Sequence, residues 1–454
     1  MISVMHRAIR IPRSIYSPSL PRAVTRPLSS TFSLQGLGRP LLFRHQLPRS
    51  FQRSVMSKSN SASFPREFPT SGFELLDPSF KIEEETLPTY SPDKYYPVKQ
   101  GEVFNNRYQA MTKLGYGVTS TVWFARDLVE STYVVLKIYV LGENREHELN
   151  IYNHINDINT NHPGRGFIRR LFGHFFVDGP KGRHVCLVHE PLGINASAWL
   201  QHVPGQKMTL GGMKSAIRQL LVTLDFLHSV AGVIHTDIQL KNMLVPAPAP
   251  SVLAAFEEGE IKAPAARKVL PDRTIYKTSS FPIGDGGIPF LSDFGEARLG
   301  DEHDGDIMPD YYRAPEVILK SNWNHKVDIW AVAMLAWDIV SPRTLIKGES
   351  IDGIFDDGAH IAELVALLGP PPPEFLERTH LSGVFWDESG NWRNLVPIPD
   401  RSLERLAENI QGEDVEGFLR WMRLALQWNP EDRPSALELL MDPWLMKGLN
   451  LKTG

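Results

Sequence analysis

The sequence has little cysteine and no long apolar run. Of its 454 residues only Cys186 is a cysteine, so an intramolecular disulfide is excluded and a reducing compartment is expected. A membrane-spanning helix needs about 20 consecutive apolar residues. The best candidate, residues 329–340, is shorter and contains Asp338. We therefore expect a soluble protein, and its length suits a two-lobed fold behind a flexible leader.

Acidic residues are absent from the first 66 positions, which hold ten arginines and one lysine beside many serines and prolines. This composition is typical of a mitochondrial transit peptide. The alternatives are a disordered basic tail and a leader upstream of a true start at Met56. Residues 67–100, with prolines and three glutamates at 83–85, predict an extended linker. Because the whole chain carries −4 and the first 66 positions carry +11, residues 67–454 carry −15, which favours basic partners and disfavours direct nucleic-acid binding.

The motif His235-x-Asp237-x4-Asn242 follows an apolar helical pattern and precedes a Pro/Ala-rich break. In a loop of this pattern the aspartate accepts a proton from an attacking hydroxyl, and the asparagine holds a metal ion bound to nucleotide phosphates. A turn with local hydrogen bonds is the alternative. The other motifs, in their order along the chain, favour Asp237 as a catalytic base and Asn242 as a metal ligand.

A Gly-x-Gly turn between two strand-like runs lets backbone amides approach phosphate oxygens, although such a hairpin is often only a tight turn. Lys137 lies in the next apolar strand, where an unpaired ammonium is costly. It therefore needs nucleotide phosphates and a glutamate of the following helix. Of Glu146 and Glu148 we prefer Glu148, which apolar residues follow; a solvent-exposed glutamate is the alternative. The turn contributes Leu114, Gly115, Tyr116, Gly117, Val118, Ser120 and Val122 to the predicted nucleotide site.

A strand over residues 184–189 ends at Glu190-Pro191-Leu192-Gly193, which predicts a hinge. The backbone of Glu190 and Leu192 can bind an adenine edge between apolar walls. Asp293 follows a short apolar strand and predicts a Mg²⁺ ligand, although Asp-x-Gly is also a common turn. Residues 246–289 lack strong periodicity and predict an insert at the lobe interface. The predicted walls are Leu114, Val122, Val135 and Leu244.

Three more residues predict structural contacts in the second half of the chain. Glu316 of Ala314-Pro315-Glu316 can form an ion pair with Arg433 of Pro430-Glu431-Asp432-Arg433-Pro434. Asp328 opens a long apolar helix and is expected to brace the backbone of the catalytic loop.

Taken in order, the motifs from Leu114 to Trp444 resemble those of the eukaryotic protein kinases. A closer resemblance is to the SR-protein kinases, which phosphorylate serines in Arg/Ser-rich splicing factors. It depends on residues 96–108, on Ser120 in place of the third glycine, on His235-Thr236-Asp237-Ile238, on the insert, and on the stretch over residues 360–369.

The resemblance implies an α+β, bilobal protein kinase fold. A small β-rich N-lobe would span residues 101–189, a hinge 190–193, and a larger α-helical C-lobe 194–446. It implies a serine/threonine kinase that uses ATP and Mg²⁺, acts on basic Arg/Ser-rich proteins, and is a monomer of the cytoplasm or nucleus. The mitochondrion is the alternative that the leader suggests. The resemblance gives Lys137, Glu148, Asp237, Asn242 and Asp293 the roles argued above.

The chain departs from the family pattern at several places. Gln239 stands where the family has lysine, two residues after the catalytic aspartate; Lys241 is the residue that could restore the charge. His189 would lie at the back of the adenine pocket, where the family usually has a bulky apolar residue. Residues 296–310 contain no Ser, Thr or Tyr, and Thr236 replaces the arginine with which many kinases receive a phosphate. We predict activity without phosphorylation of residues 296–310.

Three functions remain open at this point. A protein kinase is favoured, and the acidic residues after Asp293 suit Arg-rich substrates, although acidic loops are more often plain solvated surface. A nucleotide-binding pseudokinase scaffold is supported directly by Gln239 alone. A small-molecule kinase is disfavoured by Ala314-Pro315-Glu316 with Arg433, which resemble parts of a peptide-docking platform.

Overall fold

A computed structural model describes residues 64–142, 144–284, 286–350 and 352–449. The basic leader predicted for residues 1–66 lies almost wholly outside these ranges. Within them, no helix has the length and apolar content needed to cross a membrane.

The small lobe is one antiparallel six-stranded sheet with a single long helix. The strand order is β1-β2-β3-β4-β6-β5. Strand β4 is buried along most of its length because insert residues and the helix cover its two faces. The elements are β1 (Val103–Phe104), β2 (Tyr108–Tyr116), β3 (Ser120–Asp127), β4 (Thr132–Tyr139), α1 (His147–Asp157), β5 (Leu171–Gly179) and β6 (Gly182–His189).

The large lobe is mainly helical. Its centre is an apolar helix whose residues are nearly all buried, including Trp330 and Trp337. Beside it lies a second row of buried core residues, which are Ile217, Leu220, Leu221, Leu224 and Leu227. Its helices are α2 (Ala196–Leu200), α3 (Leu210–Asp225), α5 (Pro315–Ile318), α6 (Lys326–Val340), α7 (Asp357–Leu368), α8 (Pro373–Glu377), α9 (Ser382–Phe385), α10 (Leu403–Ala407), α11 (Val415–Ala425), α12 (Ala436–Leu440) and α13 (Pro443–Met446). Between α3 and α5 in the chain, α4 (Pro250–Lys262) belongs to the insert.

Two short antiparallel strand pairs position the loops that carry the predicted motifs. The first joins β7 (Val233–Ile234) to β12 (Arg298–Leu299), and the second joins β8 (Met243–Leu244) to β11 (Phe290–Leu291). Because these strands begin and end the two segments, the loop over residues 235–242 lies beside the loop over residues 292–297.

The segment over residues 67–100 is packed against the small lobe, whereas the sequence predicts an extended linker. Glu84 is buried and accepts a hydrogen bond from Lys113 of β2. Glu85 forms an ion pair with Lys268 at 2.8 Å. The acidic run is ordered because it neutralises lysines that are buried in the lobe.

The insert over residues 246–289 also differs from its prediction as an aperiodic segment at the lobe interface. It forms helix α4 and a hairpin of β9 (Arg267–Val269) and β10 (Thr274–Tyr276). Leu253 of α4 packs with Met111 and Phe124 of the small-lobe sheet. The insert therefore covers that sheet because its apolar residues complete the core there. The domain boundaries themselves stay predictions.

Candidate active site

The loop over residues 235–242 is hydrogen-bonded to helix α6 through its backbone. Asp328 accepts hydrogen bonds from the backbone N–H groups of His235 and Thr236, both at 2.8 Å, which confirms its predicted bracing role. Thr236 adopts a φ of 66°, an uncommon conformation for a threonine. Its hydroxyl donates to the carbonyl of Glu296 at 2.7 Å, which ties this loop to the segment that follows Asp293.

Both oxygens of the Asp237 carboxylate accept a hydrogen bond from an amide side chain. Asn242 Nδ2 donates to Oδ2 at 2.7 Å and to the Asp237 carbonyl at 2.8 Å. Gln239 Nε2 donates to Oδ1 at 2.7 Å. Burial raises the pKa of the Asp237 carboxyl, against the opposing effects of His235 and the two amides.

Lys137 joins β4, α1 and the loop after β11. Its Nζ lies 2.8 Å from Glu148 Oε2 and 2.9 Å from Asp293 Oδ1. Burial alone would lower the pKa of Lys137, but the two carboxylates raise it well above its usual value. Glu148 is buried and also accepts a hydrogen bond from Tyr139 Oη. The alternative, Glu146, is exposed at the start of α1.

Asp293 and Asn242 offer the oxygen donors that suit Mg²⁺. The side chain of Asp293 is 47% exposed, and its backbone adopts a φ of 65°. Burial would raise the pKa of this carboxyl, yet Lys137 holds it below the usual range. Because Asn242 uses Nδ2 for Asp237, its Oδ1 is left for a cation. Mg²⁺ is bound through one or two such side chains together with substrate phosphates, so these two residues fit that ion.

The Gly-x-Gly turn joins β2 to β3 at the edge of the cleft. Gly117 N–H donates to the Ser120 carbonyl at 2.8 Å, and a Cβ atom placed at Gly115 or Gly117 would meet no other atom within 4 Å. This open space beside the turn leaves room for phosphate groups. Tyr95, which belongs to none of the predicted motifs, donates from Oη to the Gly117 carbonyl at 2.9 Å.

The remaining predicted nucleotide-site residues lie on β2, β3, β4 and β8, in the turn between β2 and β3, and in the hinge segment after β6. Val122 of β3 pairs with Lys137 of β4, and Val135 of β4 pairs with His189 of β6. Leu244 forms a bridge with Asn195 just after the hinge. The half-buried members of the predicted site are Leu114, Val122, Leu244 and Glu190. The buried members are Ser120, Val135 and Leu192, and the exposed members are Tyr116 and Val118.

Two residues that depart from the family pattern have unusual surroundings. His189 is 1% exposed, and neither ring nitrogen has a hydrogen-bond partner among the described residues. Burial lowers its pKa well below the usual value. Lys241 is exposed and forms no hydrogen bond or ion pair in the described part of the chain, so the structure does not bring it to Asp237.

The segment after Asp293 and the base of the large lobe are linked by charge. Glu316 and Arg433 form a bidentate pair at 2.7 Å for both contacts, buried from solvent, as the sequence predicts. In the acidic segment, Asp306 is paired with Lys320 and Asp310 with Arg313.

Comparisons with known proteins agree with this geometry. A family model described as protein tyrosine and serine/threonine kinase matches residues 108–349, and one described as protein kinase domain matches residues 275–445. A serine/threonine protein kinase of Aspergillus fumigatus is 42% identical over 88% of this chain and 98% of its own length. Serine/threonine-protein kinase SRPK of Physarum polycephalum is 28% identical over 81% and 92%. SRSF protein kinase 3 of Homo sapiens is 24% identical over 80% and 90%.

The predicted bilobal α+β fold is confirmed by the family models and by the sheet and helices of the two lobes. Two of these relatives are named as serine/threonine protein kinases and the third as a protein kinase, and each aligns with most of the chain. The chain therefore belongs to the protein kinase family, as an ATP-dependent serine/threonine protein kinase related to the SR-protein kinases.

Proposed function

We propose that this kinase transfers the γ-phosphate of ATP to serines of Arg/Ser-rich proteins, including splicing factors, with Mg²⁺ as its metal ion. The observation that carries this proposal is the convergence of two groups in one cleft. Lys137 contacts both Glu148 and Asp293. In the loop over residues 235–242, which lies beside the loop of Asp293, Asp237 contacts Asn242.

Each of these side chains has one task in the proposed reaction. Lys137, oriented by Glu148, binds the nucleotide phosphates. Asp237 accepts the proton of the serine hydroxyl. The serine oxygen bonds to the γ-phosphorus, and the bond from that phosphorus to the leaving ADP breaks. Asn242 and Asp293 would hold Mg²⁺, which neutralises charge on the phosphates when bound. The adenine would lie between the predicted apolar walls, against the backbone of Glu190 and Leu192.

The substrate class is supported by charge and by the relatives. Residues 67–454 carry −15, and Asp301 and Asp304 are exposed in the segment after Asp293. Arginine-rich segments are attracted to such a surface. Two of the relatives are named SRPK and SRSF protein kinase 3. We propose by the same likeness that the protein acts as a monomer in the cytoplasm or nucleus; the mitochondrial alternative depends on leader residues outside the described ranges.

A phosphate-transfer assay tests the proposal. The full chain is incubated with ATP, Mg²⁺ and either an Arg/Ser-repeat peptide or a Lys/Ser-repeat peptide of equal charge. We expect transfer to the first peptide, and its loss in Asp237→Ala. Nucleotide binding without transfer by the unaltered chain would favour the pseudokinase scaffold. Equal transfer to both peptides would keep the kinase and contradict the preference for Arg/Ser repeats.

A further inference from the structure

Gln239 contacts the carboxylate that the proposed reaction uses as its base. Its Nε2 donates to Asp237 Oδ1 at 2.7 Å, while Asn242 Nδ2 donates to Oδ2 at 2.7 Å. An ionised carboxylate oxygen can accept about two hydrogen bonds, so each oxygen keeps a site for an incoming hydroxyl. The two amides thus fix the orientation of the carboxylate from both ends.

The backbone at Gln239 is compatible with this contact. Gln239 is extended, with φ −156° and ψ 162°. In extended chain, side chains two residues apart point to the same side. Ile238, between the two, is buried in the core of the large lobe with 1% exposure. Asp237 and Gln239 are therefore directed away from that core together.

A neutral amide at this position holds the carboxylate without adding charge. The other ionisable groups that act on Asp237 are His235 in the same loop, Asp293 opposite, and Tyr312 beyond the acidic segment. The position thus contributes orientation to Asp237 without adding a charge beside it.

We propose that Gln239 is a positioning residue for Asp237, which holds the base of the proposed reaction through its hydrogen bond to Oδ1. The inference rests on the proposed function, since it needs Asp237 to accept the proton of the substrate hydroxyl. If Gln239 positions the carboxylate, removal of its amide lowers kcat. If the amide only blocked Oδ1, its removal would raise kcat, so a measurement of kcat separates the two cases.

The test compares three variants of the full chain with the unaltered protein, using ATP, Mg²⁺ and the Arg/Ser-repeat peptide. Gln239→Leu removes the donor and keeps much of the volume, and Gln239→Lys keeps a donor. Gln206→Leu is the control, because Gln206 is an exposed glutamine whose side chain hydrogen-bonds only Gln201 among the described residues. We expect Gln239→Leu to lower kcat by about 10- to 100-fold through misplacement of the base. Both KM values should stay within about twofold.

Rescue by a donor is the second expected result. Gln239→Lys should keep kcat within about threefold of the unaltered protein, because its ammonium can also donate to Oδ1. Gln206→Leu should behave like the unaltered protein. Thermal unfolding of each variant shows whether it is folded; if Gln239→Leu is not, the kcat of Gln239→Lys decides.

Several results would overturn the inference. One is a Gln239→Leu variant whose kcat is unchanged or raised, and another is an effect confined to KM for ATP. A third is a folded Gln239→Lys variant that loses transfer. An unaltered protein that transfers no phosphate would overturn the proposed function and this inference together, whereas an active protein with an active Gln239→Leu variant overturns the inference alone.

Discussion

A lysine inside this cleft stays charged because two carboxylates lie next to it. Glu148 is almost completely buried, and Asp293 is about half exposed. Glu148 therefore orients Lys137 from the protein side, while Asp293 faces the cleft. In the proposed reaction, an arriving nucleotide would share Lys137 with the Asp293 carboxylate, which already contacts it.

Replacing Glu148 by Gln should reduce transfer while leaving the fold intact. Without the charge, Lys137 loses the partner that fixes its position, and we expect kcat to fall by about 10- to 100-fold. The matched control is Glu146→Gln, since Glu146 is exposed two residues earlier. Steady-state kinetics on an Arg/Ser-repeat peptide check this. Equal losses in both variants would contradict the assignment of Glu148.

Replacing His189 by Met should stabilise the protein. Both ring nitrogens are buried without partners among the described residues, and a side chain of similar size without polar atoms removes that penalty. We expect the free energy of unfolding to rise by about 1–2 kcal/mol at pH 7.

Acid should widen this difference. Burial lowers the pKa of His189 in the folded state, so below the unfolded value of about 6.5 the unfolded chain binds a proton that the folded chain does not. The unaltered protein then loses stability as the pH falls. The variant has no histidine at this position and does not lose this part of its free energy of unfolding. Urea unfolding at pH 7 and pH 5.5 measures both effects. The control, His184→Met, should destabilise, because His184 Nδ1 hydrogen-bonds the Tyr139 carbonyl at 2.8 Å.

Among the elements, the glycine hairpin between β2 and β3 is supported from outside the sheet. The hydroxyl of Tyr95 holds the Gly117 carbonyl, so a segment that precedes the sheet fixes the turn. This support limits how far the hairpin can open.

Replacing Tyr95 by Phe should weaken nucleotide binding selectively. Loss of one neutral hydrogen bond corresponds to an increase of about 2- to 10-fold in KM for ATP, with kcat close to its original value. The matched control is Tyr90→Phe, whose ring lies 5.1 Å from that of Tyr95 but whose hydroxyl interacts with Arg273. A fall in kcat without a change in KM would contradict the proposed role of the turn.

Local patterns predicted some elements well and others poorly, for physical reasons. Ile217, Leu220 and Leu221 repeat at helical spacing, and the short apolar strands before Asp293 and around residue 234 are bounded by polar loops. Glu84 and Glu85 look solvated in sequence, because their lysine partners lie 29 and 183 positions away. No periodicity encodes a contact over such distances. The bond from Gln239 to Asp237 was likewise hidden, since the residue type alone does not show where an amide points.

For the molecule as a whole, Glu316 and Arg433 connect the segment after the active site to the last part of the large lobe. Arg433 also donates to the carbonyls of Gln427 and Lys326, so the pair is fully satisfied inside the protein. Removing one partner would leave the other charge buried and alone, which is far more costly than the pair itself.

Replacing Arg433 by Leu should therefore lower the free energy of unfolding by about 3–5 kcal/mol. The control is Arg420→Leu, which breaks a bidentate pair with Asp442 in which the arginine is half exposed. There we expect a loss of about 1 kcal/mol or less. Guanidinium unfolding followed by tryptophan fluorescence measures both, and similar losses would contradict the structural role of the buried pair.

The negative charge of the body should act on substrate binding. We expect Asp301→Asn/Asp304→Asn to raise KM for an Arg/Ser-repeat peptide by about 3- to 10-fold, with kcat unchanged, because it weakens attraction for arginines. The control is Glu67→Gln/Glu74→Gln, which removes two exposed acids from the small lobe. Initial rates at low and high salt check this, since screening should reduce the difference. An equal effect of both double variants would point to net charge instead of a local contact.

The hydroxyl of Thr236, bonded to the Glu296 carbonyl, has a consequence for how the enzyme is controlled. Many kinases have at this position an arginine that receives an added phosphate, whereas here the threonine already contacts the segment after Asp293. We therefore expect that phosphorylation at this point is not needed for activity. The rate of substrate phosphorylation in a cell should then depend on how much enzyme and substrate are present in the same compartment. Freshly translated protein and phosphatase-treated protein should have the same turnover number.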